Sequence, residues 1–118
     1  MPEFIQVSTT VDSEARARRI ANLLLERRLS SCVQVAGPIQ SHYWWNKMIQ
    51  HATEWSCIIK ARRSDYREIV AAIKRIHPYE IPEILALPIL TGSNDYLRWM
   101  SLETIRKTRT KSKREKRT

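Results

Sequence analysis

The chain has 118 residues, 42% of them hydrophobic and 28% charged, with a formal net charge of +9. A chain of this length buries roughly 65% of the surface its unfolded form exposes, so it folds as one domain without needing a disulfide framework or a structural metal. The charge does not describe a nucleic-acid-binding body: residues 106–118 hold eight of the 21 Lys and Arg and one of the 12 Asp and Glu, a net +7, leaving +2 for residues 1–105.

Residues 1–7 have neither a basic leader region nor a long apolar stretch, and no apolar run approaches a membrane span. The expectation is a soluble, cytoplasmic protein with no membrane insertion. Residues 3–8 read as the first strand, with Phe4, Ile5 and Val7 β-prone and Thr9-Thr10 as a polar step that ends it. A helix follows, capped by Asp12 or Ser13, with Ala17, Ile20, Ala21 and Leu24 at helical spacing on one face. Arg16, Arg18, Arg19, Arg27 and Arg28 read as its solvated faces.

From Cys32 to Trp45 the pattern is one long strand, kinked or bulged at Gly37-Pro38. Asn46 tolerates positive φ, so the chain reverses there into a second strand over residues 48–61. The turn at Asn46 is expected to bring Cys32 opposite Ala61 and Cys57 opposite Ala36, about 13 Å from Cys32 along the strands. A disulfide between them is excluded by that separation, and both read as small core residues.

Ser64 or Asp65 caps a second helix whose stripe of Ile69, Ala72, Ile73 and Ile76 ends before Pro78, because proline disfavours the helical region for His77. Residues 83–90 form the next strand, and their near-continuous apolar character predicts burial on both faces, with Pro88 at an edge or bulge. After Thr91-Gly92 a last helix starts at Asn94 or Asp95, with Tyr96, Leu97, Trp99, Met100 and Leu102 as its contacts. Strand, helix, strand, strand, helix, strand is the order of an α+β, ferredoxin-like βαββαβ sandwich, here with an added C-terminal helix. Tyr43, Trp44, Trp45 and Trp55 give the hairpin more apolar surface than a monomer leaves wet, which predicts self-association.

The segment His77-Pro78-Tyr79-Glu80-Ile81-Pro82-Glu83 holds titratable groups on a stiff, non-helical linker, which suits a binding rim and equally suits a plain crossover. In the sandwich, the end of the first strand, the end of the second helix and the Asn46 turn share one pole, whereas Cys32 lies at the other. Ser8, Trp44, Lys47, Tyr79 and Glu80 are therefore expected near His77, and Cys32 is a poor co-ligand for it within one subunit. A catalytic reading of Ser8 with His77 lacks an orienting Asp, and the two glycines, Gly37 and Gly92, form no phosphate loop or nucleophile elbow. His42 and His51 read as surface strand residues. Residues 106–118 contain no apolar side chain and read as a basic, disordered tail beyond a domain of residues 1–105, able to contact polyanions non-specifically.

Cys32-Val33, Tyr43-Trp44-Trp45-Asn46-Lys47, Ile58-Ile59-Lys60, the His77 to Glu83 block, Leu87-Pro88-Ile89 and Tyr96-Leu97-Arg98-Trp99 resemble, in order, the motifs of the CutA1 family of divalent-cation tolerance proteins. The resemblance spans residues 3 to about 103. It implies a ferredoxin-like protomer, a stable homotrimer, an association with copper or another divalent cation, and no enzymatic activity. Bacterial members linked to copper carry a cysteine at the end of the first strand and two histidines before the proline; the corresponding residues here are Ser8 and Ile76, with only His77 retained. One imidazole does not make a tight transition-metal site. Weak metal binding by His77 with Glu80 or Glu83 is thus one expectation. The family's architectural likeness to trimeric PII signalling proteins implies another: a small anionic ligand in an intersubunit cleft lined by Tyr43, Trp44, Lys47, His77, Tyr79 and Glu80.

Overall fold

The computed structural model describes residues 3–105; the expected basic tail of 106–118 lies outside them. In chain order the elements are β1 (Phe4–Val11), α1 (Glu14–Glu26), β2 (Cys32–Trp45), β3 (Met48–Arg62), α2 (Tyr66–Ile76), β4 (Ile84–Pro88) and α3 (Asn94–Glu103), with a single 3-10 turn at Arg63–Asp65 leading into α2. The four strands form one antiparallel sheet in the order β2-β3-β1-β4. This is an α+β fold with the element order that the sequence predicts.

The core lies between one sheet face and the two helices α1 and α2. Alternate residues of β1 and β3 (Ile5, Val7, Val11, Cys57, Ile59, Ala61) meet Ala17, Ile20 and Leu24 of α1 and Ile69, Ala72 and Ile73 of α2. Burying each large aliphatic side chain contributes about 1.5–3 kcal/mol, so the two periodicities, 2 and 3.6, select the same layer. β1 is longer than expected: Thr9 and Thr10 continue it instead of ending it, and Thr9 is fully buried on the helix-facing side.

Ser13 is the cap of α1, its Oγ accepting from the Arg16 amide at 3.2 Å. The helix ends through Arg28 at φ 58°, with the Leu29 amide donating to the Leu24 carbonyl at 2.9 Å. Arg28 is not the solvated surface residue expected. Its guanidinium donates to the Glu103 carbonyl and to Glu103 Oε1 at 3.0 and 2.8 Å, fastening the end of α1 to α3. α3 starts at Asn94, within the expected pair, and its cap is Ser93, whose Oγ accepts from the Tyr96 amide at 3.3 Å.

The β2–β3 hairpin turns on two residues rather than one. Trp45 faces Met48, and Asn46 and Lys47 have φ of 52° and 64°. Positive φ at both central positions is the twist-matched hairpin turn. The register is also corrected further down. A bulge between Ala36 and Ile39 removes one residue from the pairing, so Cys32 faces Lys60 and Cys57 faces Val35. Gly37 sits in that bulge against Trp55, whose Cδ1 lies 2.5 Å from where a Cβ would stand. Both cysteines are free, Cys57 buried and Cys32 half-buried.

β3 pairs with β1 only from Trp55 to Arg62. Residues 39–54 therefore form a two-stranded arm that extends past the sheet, and the described residues span 51 × 29 × 27 Å. β4 is an edge strand paired to β1 alone, which accommodates Pro88. Its expected burial on both faces is not found in the protomer: Leu85 and Leu87 are 59% and 63% exposed on the face opposite the helices.

Candidate functional site

Proline chemistry positions the first element of the site. His77 closes α2 with an extended backbone, φ −76° and ψ 134°, the conformation that Pro78 favours in its predecessor. The imidazole then turns inward beside the end of β1. Its Nε2 meets the Thr10 carbonyl at 2.8 Å, and its Nδ1 meets the Tyr79 amide at 3.1 Å. A carbonyl only accepts and an amide N–H only donates, so Nε2 carries the proton and Nδ1 accepts. His77 is buried and neutral in this arrangement, a clamp between β1 and the linker.

The next residue in the chain of contacts is Tyr79. Its ring stands edge to face with His77, centroids 4.8 Å apart, and its hydroxyl donates to Glu54 Oε2 at 2.7 Å. Glu54 is 5% exposed, at the root of the hairpin arm. Burial first, then the hydrogen bond to Glu54 and its negative charge, push the Tyr79 hydroxyl well above tyrosine's ordinary pKa. The phenol therefore stays a donor, and the carboxylate stays satisfied.

Above this network runs an open groove of about 690 Å³ between the arm and the linker. One wall is aromatic, from Tyr43, Trp44 and Trp45; the other carries Glu80 and Glu83, with Glu54 at the base. The structure thus brings Tyr43, Trp44, Tyr79, Glu80 and Glu83 together along the groove, of which the pole argument names Trp44, Tyr79 and Glu80. It does not bring Lys47 or His77 into the lining, and among the described residues no lysine or arginine lines the groove. Lys47 is displaced to the tip by the two-residue turn, while the backbone claims His77. The polarity expected for an anion cleft is consequently reversed.

Ser8 is half-buried within β1, between Ile58 and Leu85, and takes no part in the His77 hydrogen bonds. Cys32 faces Lys60 and Gln6 faces Lys60 from the other side, so Cys32 lies toward the start of β1 and His77 beside its end. Glu54 was not a sequence candidate. The available signal was a lone carboxylate immediately before Trp55, at the point where the hairpin outgrows its neighbours. Among the described residues no three His, Cys, Asp or Glu side chains converge closely enough to cage a metal ion. The groove's donors fit a loosely held, largely hydrated cation, not a closed transition-metal site.

The family model described as CutA1 divalent ion tolerance protein matches residues 5–103. The chain belongs to the CutA1 family. A curated CutA1 relative, the divalent-cation tolerance protein CutA of Archaeoglobus fulgidus, is 39% identical over 105 residues, covering 89% of this chain and 99% of that one. The solved A. fulgidus structure, titled a periplasmic divalent cation tolerance protein, superimposes with a TM-score of 0.84 at 35% identity over 86% of this chain and 99% of that one. CutA1 from Oryza sativa gives 0.85 at 34% identity, over 88% and 95%. The fold is that of CutA1 structures.

Proposed function

We propose that this chain is a non-enzymatic divalent-cation tolerance protein that binds its cation weakly, copper among the candidates, in the acidic groove beside His77. The observation that carries this reading is the groove's sign: Glu54, Glu80 and Glu83 line it, and among the described residues no lysine or arginine does. The relatives' names supply the divalent cation. A small anionic ligand of the PII-like kind is the less favoured occupant, since Lys47 and His77 do not reach the groove.

The functional unit in this proposal is a homotrimer of ferredoxin-like protomers. Two observations support association. Residues 39–54 form an isolated two-stranded ribbon, marginal on its own in water, with Trp44, Met48 and Ile49 exposed. Both sheet edges, β2 and β4, are open, and Leu85 and Leu87 face solvent beside one of them. We assign the protein to the cytoplasm, where its two unbridged cysteines are at home, although the A. fulgidus structure is titled periplasmic. Among the described residues no helix is long and apolar enough to cross a membrane. Residues 106–118, at net +7, would add salt-dependent contact with polyanions.

Titration calorimetry with Cu²⁺ and Mg²⁺ on the wild type and on the Glu80→Gln/Glu83→Gln double variant tests the cation reading. Weak binding that the double variant loses is the expected result. Groove-dependent binding of phosphate or a carboxylate, with no cation binding, would overturn it. Light scattering gives the assembly state, and a stable monomer at micromolar concentration would remove the trimer.

A further inference from the structure

We propose a second metal site on the hairpin arm, at the margin of the groove that His42 also lines: His42 and His51 chelate one borderline divalent transition metal, of the Zn²⁺, Ni²⁺ or Cu²⁺ class. The two residues are direct cross-strand partners in β2 and β3. Directly opposed residues send their side chains to the same face of a ribbon. Here their Nδ1 atoms lie 2.6 Å apart, with the rings edge to face and centroids 4.4 Å apart.

At that distance one Nδ1 carries a proton and the other accepts it, so the pair shares a single hydrogen bond. When the donating ring carries its proton on Nε2 instead of Nδ1, both Nδ1 lone pairs are free for a metal ion, and the same geometry becomes a chelate of two neutral imidazoles. Imidazole nitrogens hold Zn²⁺ at about 2.0–2.1 Å, so two ligands of a tetrahedral ion stand roughly 3.3 Å apart. The nitrogens must separate by well under the length of a bond, and both rings are exposed in the protomer. Among the described residues neither ring has another hydrogen-bond partner to give up. His77 differs on this point, because coordination there would break a bond to Thr10 or Tyr79.

The neighbours define the site further. Gln40 donates to Thr53 Oγ1 at 3.1 Å on one side of the pair, and Trp44 faces Ile49 on the other. These flanking cross-strand pairs fix the twist that sets the imidazoles opposite each other. Two protein ligands leave the remaining coordination positions to water or a small anion, so affinity in the micromolar range is expected. Nitrogen donors also set the selectivity: Cu²⁺ binds more tightly than Ni²⁺ or Zn²⁺, and Mg²⁺ and Ca²⁺, which require oxygen ligands, do not compete. The site stands whether or not the acidic groove holds a cation.

The test uses the full-length chain with Zn²⁺ and Cu²⁺ alone as probes. Calorimetry is run on the wild type, His42→Gln, His51→Gln, the double variant, and Glu80→Gln/Glu83→Gln. The expected result is, beside any weaker step that depends on the groove carboxylates, one tighter step per chain whose affinity falls at least tenfold in each single histidine variant and is kept in the carboxylate variant. Zn²⁺ should also shift the imidazole NMR signals of His42 and His51 and leave those of His77 in place, a readout that needs no substitution. Undiminished binding in the double histidine variant, or a metal-induced shift confined to His77, would overturn the proposal.

Discussion

Tyr79 and Glu54 are joined by a 2.7 Å hydrogen bond in which the phenol donates to a carboxylate that is 5% exposed. This contact locks the linker that follows α2 to the root of the hairpin arm and forms the floor of the acidic groove. It also continues the His77 clamp, so one run of contacts joins Thr10, His77, Tyr79 and Glu54.

Removing the phenolic hydroxyl should therefore cost more than an average hydrogen bond. Tyr79→Phe leaves Glu54 buried without its donor, and a lost bond to a charged group costs about 1.5–3 kcal/mol. Urea denaturation should show a lower midpoint with an unchanged slope. A loss below about 0.5 kcal/mol would mean that water reaches Glu54 in place of the phenol.

Alkaline pH should weaken the fold through the same residue and through Cys57. Burial pushes the Cys57 thiol up from 9.0 to about 11, and the Tyr79 hydroxyl is raised above its ordinary 10.0 by burial and by Glu54. Both groups hold a proton in the folded state that the unfolded state has released. Their stabilisation is complete below the unfolded values and drains away as pH rises, from about pH 9 for Cys57 and from about pH 10 for Tyr79. Stability measured from pH 8 to 11 should fall; Cys57→Ala should flatten the fall between pH 9 and 11, and Tyr79→Phe should flatten it above pH 10. A profile identical in all three proteins would contradict the assignment.

The bulge makes a steric prediction. A Cβ at Gly37 would stand 2.5 Å from Trp55 Cδ1, closer than carbon atoms approach, so Gly37→Ala must push the half-buried indole aside. Overpacking of this kind costs typically about 1–3 kcal/mol. The double variant Gly37→Ala/Trp55→Leu should recover most of the loss. Failure to recover would place the cost in the backbone and not in the contact.

The element order, both core helices and the pole shared by Tyr79, Glu80 and the hairpin were legible in the sequence because each rests on a local rule: alternation in β1, the 3.6-residue stripes of α1 and α2, and the backbone restriction before Pro78. Features that depend on register were not. One residue of bulge at Gly37-Pro38 and a two-residue turn displace each other's effect along the hairpin, and only their sum decides what faces Cys32 or sends Lys47 away from the groove. The His42–His51 pair is hidden for the same reason. β4 misled differently: its apolar run predicted burial on both faces, yet in the protomer it lies on an edge with Leu85 and Leu87 exposed, surface the proposed trimer would cover. His77 was visible as a candidate ligand, but not that Thr10 and Tyr79 occupy both its nitrogens, since hydrogen bonds to backbone leave no mark on composition.

The hairpin turn offers a stabilising substitution. Asn46 and Lys47 both adopt positive φ, 52° and 64°. Asn tolerates that region because its short polar side chain bonds locally, whereas Lys has no such compensation, and the second position of this turn is ordinarily glycine. Lys47→Gly should relieve the strain between Cβ and backbone, offset in part by the greater freedom glycine gives the unfolded chain. The net gain should be about 0.5–1 kcal/mol, read as a higher urea midpoint. Lys47 does not line the groove, so cation binding should be untouched. Asn46→Ala should move stability the other way, since it keeps the positive φ and removes the side chain that supports it. A Lys47→Gly protein less stable than the wild type would show that the lysine makes a contact in the assembled protein outweighing its backbone strain.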